Sequence, residues 1–289
     1  MPATNEPANE PATNEAVSGV AAGVPFIAVP PAGGPRPSAP AVVAWHMMDA
    51  PRTEAAFAAA LPMNDLDAWR IYMGLPLSGS RLPEGGVDEL MRLGYEDAVL
   101  NLQGPVVSQA VEEFPDAFAT LRSRFDLGAG PIGLVGGSIG AAVALQVLLE
   151  QRVVASAAVL VSPLIQLRQS VDAMARQFGF TYTWSDESSR IAERLDVVAR
   201  AAEFVEAGEP AVLLAVGEQD DADGFRVPAA ALREKLRELY ADDERIELVE
   251  IAGMGHALAE EPGVEPAPQT RYAAEVDRQA VAWLRTHLG

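Results

Sequence analysis

The stretch Leu134-Val135-Gly136-Gly137-Ser138-Ile139-Gly140-Ala141-Ala142 carries the most specific chemical pattern in this chain: an apolar run enters a G-x-S-x-G and leaves into an Ala-rich segment. A serine on a tight strand-to-helix turn adopts strained backbone angles, and side chains two residues to either side would collide with the adjoining strand and helix. Only glycine fits there. Such a turn presents the Ser138 hydroxyl and aims the amide of Ile139, together with the start of the helix dipole, at the place where negative charge develops on a substrate carbonyl. The competing reading is a Gly-rich phosphate cradle, but neither a P-loop Lys nor a third dinucleotide-type Gly follows in place.

A serine hydroxyl is a poor nucleophile near neutrality and requires a base held in reach, for which imidazole has the suitable pKa. The chain has three His. His287 lies two residues from the end, within a predicted helix, and reads as a solvated helix-end cation. His46 follows an apolar run far upstream of the serine. His256 ends Ile251-Ala252-Gly253-Met254-Gly255-His256, a loop whose glycines shape the backbone around one side chain, and it is the expected base. A carboxylate must keep that imidazole in one tautomer and stabilise its cation. The apolar run Ala211–Val216 leads into Gly217-Glu218-Gln219-Asp220-Asp221-Ala222-Asp223; Asp220 is the expected partner, with Asp221 and Asp223 as alternatives in an otherwise solvated acidic loop.

These groups need a scaffold, and the composition supplies one. With 289 residues, 49% of them apolar and 21% charged, the chain can bury a sizeable core. Lys and Arg number 21 against 41 Asp and Glu, a net charge of −20 that repels phosphate backbones and anionic lipid alike. Neither nucleic acid nor membrane is therefore an expected partner; a small-molecule ester is, and a homodimer is compatible with the sequence. The absence of Cys excludes disulfides, thiolate metal sites and a cysteine nucleophile, and three His leave little for metal binding, so no cofactor is expected. No apolar run reaches the roughly 20 residues of a membrane span, and no basic-then-apolar leader opens the chain. A cytoplasmic location is expected, although zero Cys suits export equally.

Residues 1–16 repeat a Pro/Asn/Glu unit with almost no large apolar side chain, which predicts a disordered tail. From Val17 onward, short β-branched runs alternate with longer helical ones, the pattern of a mostly parallel α/β sheet with helices on both faces. Strands are predicted at Pro25–Val29, Ala41–Trp45, Ala68–Met73, Ile132–Gly136, Ala155–Val161, Ala211–Val216 and Ile246–Ile251. Helices are predicted at Thr53–Leu61, Ala110–Phe125, Ile139–Gln151, Pro228–Tyr240 and Tyr272–Leu288. Glu96–Leu102 fits either state, with helix favoured by its position before Pro105. The segment from about 164 to 208 is longer than a crossover needs. Phe178, Phe180, Tyr182 and Trp184 fall within seven residues of it, in a chain with 6% aromatics, and predict a pocket wall. Ile191, Leu195, Val198, Ala202 and Val205 follow at helical spacing.

The order Ser138, Asp220, His256, each after a predicted strand, resembles the serine α/β-hydrolase superfamily over residues 17–289. The Gly137 that precedes the serine is similar to the smaller esterases, dienelactone hydrolases and oligopeptidase-type members. The resemblance implies an α/β-hydrolase fold, a helical lid at 164–208, and cleavage of a carboxylic ester or thioester of a small, largely apolar substrate through an acyl-enzyme. It also implies peptidase, lactonase and carbon-carbon hydrolase alternatives, or a non-catalytic binding protein on the same fold. In the family a second oxyanion donor follows an earlier strand, often at a His-Gly pair. The corresponding loop here is Trp45-His46-Met47-Met48-Asp49, so the resemblance implies the Met47 amide as donor beside Ile139, with His46 orienting the loop and, with Met48, lining the substrate pocket, and Met47 and Met48 lending apolar surface to the acyl pocket.

Overall fold

The computed structural model describes residues 15–288, so the predicted tail lies outside the described residues except for Glu15 and Ala16. In chain order the elements are β1 (Val17–Ala21), β2 (Val24–Val29), β3 (Ala41–Trp45), α1 (Glu54–Ala60), β4 (Trp69–Met73), α2 (Gly86–Asp97), α3 (Gly104–Arg124), β5 (Ile132–Gly137) and α4 (Ile139–Leu149). They continue with β6 (Ala157–Val161), α5 (Leu167–Phe178), α6 (Asp186–Arg194), α7 (Glu203–Glu206), β7 (Ala211–Gly217), α8 (Val227–Leu239), β8 (Ile246–Ile251) and α9 (Arg271–His287).

One eight-stranded sheet runs in the order β1-β2-β4-β3-β5-β6-β7-β8. β1 and β2 are antiparallel additions to an otherwise parallel sheet. Successive residues of a strand face opposite sides, and in the central strands β3 to β7 both sides are covered. Val43, Trp45 and Leu134 pack into one apolar cluster with Phe114 of α3 and Val143 of α4, while Val42, Ala44 and Val135 face Phe57 of α1 and Leu284 of α9. Helix α4 is buried along its entire length, as a helix apolar all round must be.

β3 pairs with β4 on one side and β5 on the other. The chain thus winds outward from β3 first and then returns to continue in the opposite direction. In open parallel sheets, ligands bind at the carboxyl ends of strands beside such a reversal. Trp45, the last residue of β3, is paired with Gly136, which brings the residues after β3 alongside those after β5.

The predicted strands all form, with bounds shifted by at most two residues. β1 is additional. Its Gly19 and small side chains hid it, but the two-residue link Ala22-Gly23, with φ of 45° and 86°, is a tight hairpin turn that could have revealed it. Glu96–Leu102 is helical, yet helix begins ten residues earlier with α2, opens into a wider turn over Ala98–Gln103 and resumes as α3. Pro105 sits in the first turn of α3, where its missing N–H costs nothing. The apolar spacing from Ile191 to Val205 is not one helix: α6 stops at Arg194, and Ala202 and Val205 are exposed.

Candidate active site

Ser138 stands between β5 and α4 with φ 49° and ψ −116°, the strained elbow conformation that the glycines predict. Its N–H donates to Val161 O at 2.9 Å and its carbonyl accepts from Leu164 N at 3.2 Å, so the end of β6 fixes the turn. The glycines are required by close approach. A Cβ on Gly136 would lie 2.3 Å from Gly140 O, and one on Gly140 would lie 2.3 Å from His46 O.

Three loops meet at this serine. His256 Nε2 is 2.9 Å from Ser138 Oγ, and His256 Nδ1 is 2.9 Å from Asp220 Oδ2. The Asp220 side chain is almost fully buried, whereas that of His256 is 20% exposed. Asp220 Oδ1 accepts from the Asp221 amide at 2.8 Å. The alternatives point elsewhere: Asp221 accepts from Gly224 N, and both Asp221 and Asp223 pair with Arg176. Burial opposes charge on the His256 ring, but the hydrogen bond and charge of Asp220, with the charge of Asp49, outweigh it and hold the imidazole above its ordinary pKa.

The acid and histidine loops are knitted together. Gln219 N donates to Met254 O at 2.8 Å, and the Glu218 carboxylate accepts from Gly253 N at 2.7 Å. A Cβ on Gly217 would meet Gly255 O and Met254 O, each at 2.4 Å. Gly253, at φ 73°, takes the left-handed turn of the histidine loop. Glu218 lies in the acidic loop expected to be solvated, but its carboxylate closes the histidine loop through a contact 35 residues away.

The loop after β3 corrects several expectations. His46 is buried, with Nδ1–H donating to Met47 O at 2.7 Å and Nε2 accepting from Leu75 N at 3.0 Å. Burial, against the pull of the Met47 carbonyl, lowers its pKa to about 4. It is a neutral strut joining two loops, not a pocket-lining group. The Met47 amide donates to Pro51 O at 3.3 Å, and its side chain is buried beneath Gly137 among the core residues, so neither faces a substrate. The next amide, that of Met48, has no hydrogen-bond acceptor among the described residues.

This loop is tied to the segment that follows His256. Leu258 N donates to Ala50 O at 3.0 Å, Arg52 N to Gly263 O at 2.7 Å, and Arg52 Nη2 binds both Glu261 oxygens at 2.7 Å.

The four aromatics of the insertion divide into two pairs. Tyr182 and Trp184 pack edge to face at 4.7 Å, partly buried, with the Arg168 guanidinium over Trp184 and the Tyr182 hydroxyl donating to Asp97 at 2.6 Å. Phe178 and Phe180 are 64% and 41% exposed, so the continuous wall expected from their spacing does not form. Two neighbours of His256 carried no sequence signal. The Phe225 ring lies 4.2 Å from the imidazole, and Asp49 Oδ2 lies 3.6 Å from Nε2. Among the described residues, no group of three or more His, Asp or Glu has metal-binding geometry, and no helix is long and apolar enough to cross a membrane.

No family model and no curated protein matches the chain in sequence. Solved structures match throughout its length. TT1662 from Thermus thermophilus aligns at TM-score 0.62 and 18% identity, covering 95% of this chain and 98% of its own. Dienelactone hydrolase from Anabaena variabilis aligns at 0.53 and 17% identity, covering 96% and 99%. The esterase Pf2001 from Pyrococcus furiosus aligns at 0.57 and 12% identity, covering 100% and 97%.

Proposed function

On the α/β-hydrolase fold that this chain adopts, we propose a serine hydrolase that cleaves a carboxylic ester or thioester of a small, largely apolar molecule. The observation that carries this reading is the unbroken hydrogen-bond chain from Ser138 Oγ through His256 to Asp220, assembled from the carboxyl ends of β5, β8 and β7.

Ser138 Oγ attacks the acyl carbon and passes its proton to His256 Nε2. Asp220 holds Nδ1–H and stabilises the resulting imidazolium. Collapse of the tetrahedral intermediate breaks the bond to the leaving oxygen or sulfur, which takes the proton from Nε2. Water then repeats the sequence on the acyl-enzyme, releasing the acid and restoring the serine. The oxyanion donors in this reading are the amides of Ile139 and Met48. Ile139 opens α4, where the first amides of a helix have no intrahelical acceptor. Met48 takes the place that the resemblance implies for Met47, whose amide is engaged with Pro51. Removal of one such donor typically costs ~2.7–4 kcal/mol of transition-state stabilisation.

Labelling with a fluorophosphonate, followed by peptide mapping, tests the reading. An activated hydroxyl gives modification at Ser138 that is lost in His256→Ala; a binding protein on this fold gives none. A panel of esters, thioesters, lactones and aminoacyl amides then ranks the bond cleaved, since chemistry on this scaffold follows the pocket.

A further inference from the structure

Asp49 follows Met48 in the loop leaving β3, and its carboxylate faces the same imidazole nitrogen as the serine: Oδ2 is 3.6 Å from His256 Nε2, and Ser138 Oγ is 2.9 Å from it. Asp49 therefore stands beside the reacting groups, whereas Asp220 stands behind the ring. Its side chain is 54% exposed, and among the described residues no Lys or Arg nitrogen lies within 4.0 Å of it. Arg52, the nearest cationic residue in sequence, is paired with Glu261. The other groups against the imidazole are Asp220 and the Phe225 ring, and neither brings positive charge. A carboxylate with no Lys or Arg beside it among the described residues thus stands next to the nitrogen that exchanges a proton with the leaving group.

We infer that Asp49 is a specificity residue, selecting substrates whose leaving group carries an ammonium, as in esters of amino alcohols, over neutral and anionic ones. This inference rests on the serine hydrolase reading. Nε2 returns its proton to the leaving oxygen, so the leaving group passes alongside Nε2 and hence alongside Asp49. The bond from acyl carbon to that oxygen breaks, the oxygen takes the proton, and the amino alcohol departs with its charge unchanged. A cation on this path pairs with Asp49, whereas a neutral leaving group gains nothing from the carboxylate and an anionic one is repelled by it. Solvent at the half-exposed carboxylate moderates the effect.

The test compares wild type with Asp49→Asn on the butyryl ester of choline and on its uncharged carbon isostere. Phosphonates bearing the same two leaving groups are compared in parallel by their rates of reaction with Ser138, which reads the preference without requiring ester turnover. Wild type is expected to favour the cationic member about tenfold. Asp49→Asn is expected to bring the ratio close to one and to move the acid limb of the pH profile to lower pH, because a negative charge beside Nε2 is gone. An equal ratio in the two proteins, or a wild-type preference for the neutral probe, overturns the inference. Failure of the hydrolase reading looks different: neither ester is cleaved and fluorophosphonate leaves Ser138 unmodified in both proteins.

Discussion

Met47 occupies the volume that a side chain at position 137 would need: a Cβ on Gly137 would lie 2.6 Å from Met47 Cγ and 3.2 Å from its sulfur. The two positions form one packing unit beneath the nucleophile. A large residue after His46 demands a glycine before Ser138, so Gly137 is fixed by Met47 and not by the elbow turn itself.

Gly137→Ala is expected to destabilise the fold by ~1–3 kcal/mol, the range for forcing extra volume into a packed core. Met47→Ala is expected to cost ~2–5 kcal/mol through the cavity it leaves. The double variant should be more stable than the sum of the two losses implies, since the added methyl enters the vacated space. Denaturant melts of the four proteins measure the coupling; strict additivity would contradict it.

His46 makes the fold sensitive to acid. Its folded pKa falls from the ordinary 6.5 to about 4, first through burial. Between those values the unfolded chain binds a proton that the folded chain refuses, so stability declines as pH falls through that window and is regained as pH rises. The shift corresponds to roughly 3 kcal/mol. A variant such as His46→Gln keeps a polar side chain there without this titration, and urea melts from pH 7 to 4 should show a shallower loss of stability than in wild type.

The pH profile of hydrolysis reports His256. The base acts when neutral, and Asp220 and Asp49 together hold its proton more firmly than burial weakens it. The acid limb of kcat/KM is therefore expected to have its inflection above the ordinary imidazole value of about 6.5. Asp220→Asn removes both the charge and the hydrogen-bond acceptor that fixes the tautomer. It should move the limb to lower pH and reduce kcat by about 10⁴, the loss seen when a triad carboxylate is replaced this way. An unmoved limb would show that Asp220 does not govern the ring.

Much of this arrangement was legible in the sequence because its signals are local. The elbow glycines stand within two residues of Ser138, and the central strands β3 to β7 are short runs buried on both faces. Asp220 and His256 follow such runs directly, so strand prediction and loop chemistry pointed to them together. What escaped prediction depends on tertiary contact. Which atoms the Met47 amide and the His46 ring meet is decided by Pro51 and by Leu75, the latter 29 residues away. Asp49 and Phe225 reach His256 only through loop closure between β3, β7 and β8. Helix α2 has apolar residues at helical spacing, Val87, Leu90 and Met91, but Gly86 and Gly94 weaken its helix signal.

The most direct test of the account is the turnover of a short-chain p-nitrophenyl ester by Ser138→Ala, with circular dichroism recorded on the same sample. The expected result is an unchanged spectrum and loss of all turnover beyond a residual about 10³–10⁴-fold above water, the contribution left by oxyanion binding alone. Turnover at the wild-type rate by the folded variant would contradict the assignment of Ser138 as nucleophile.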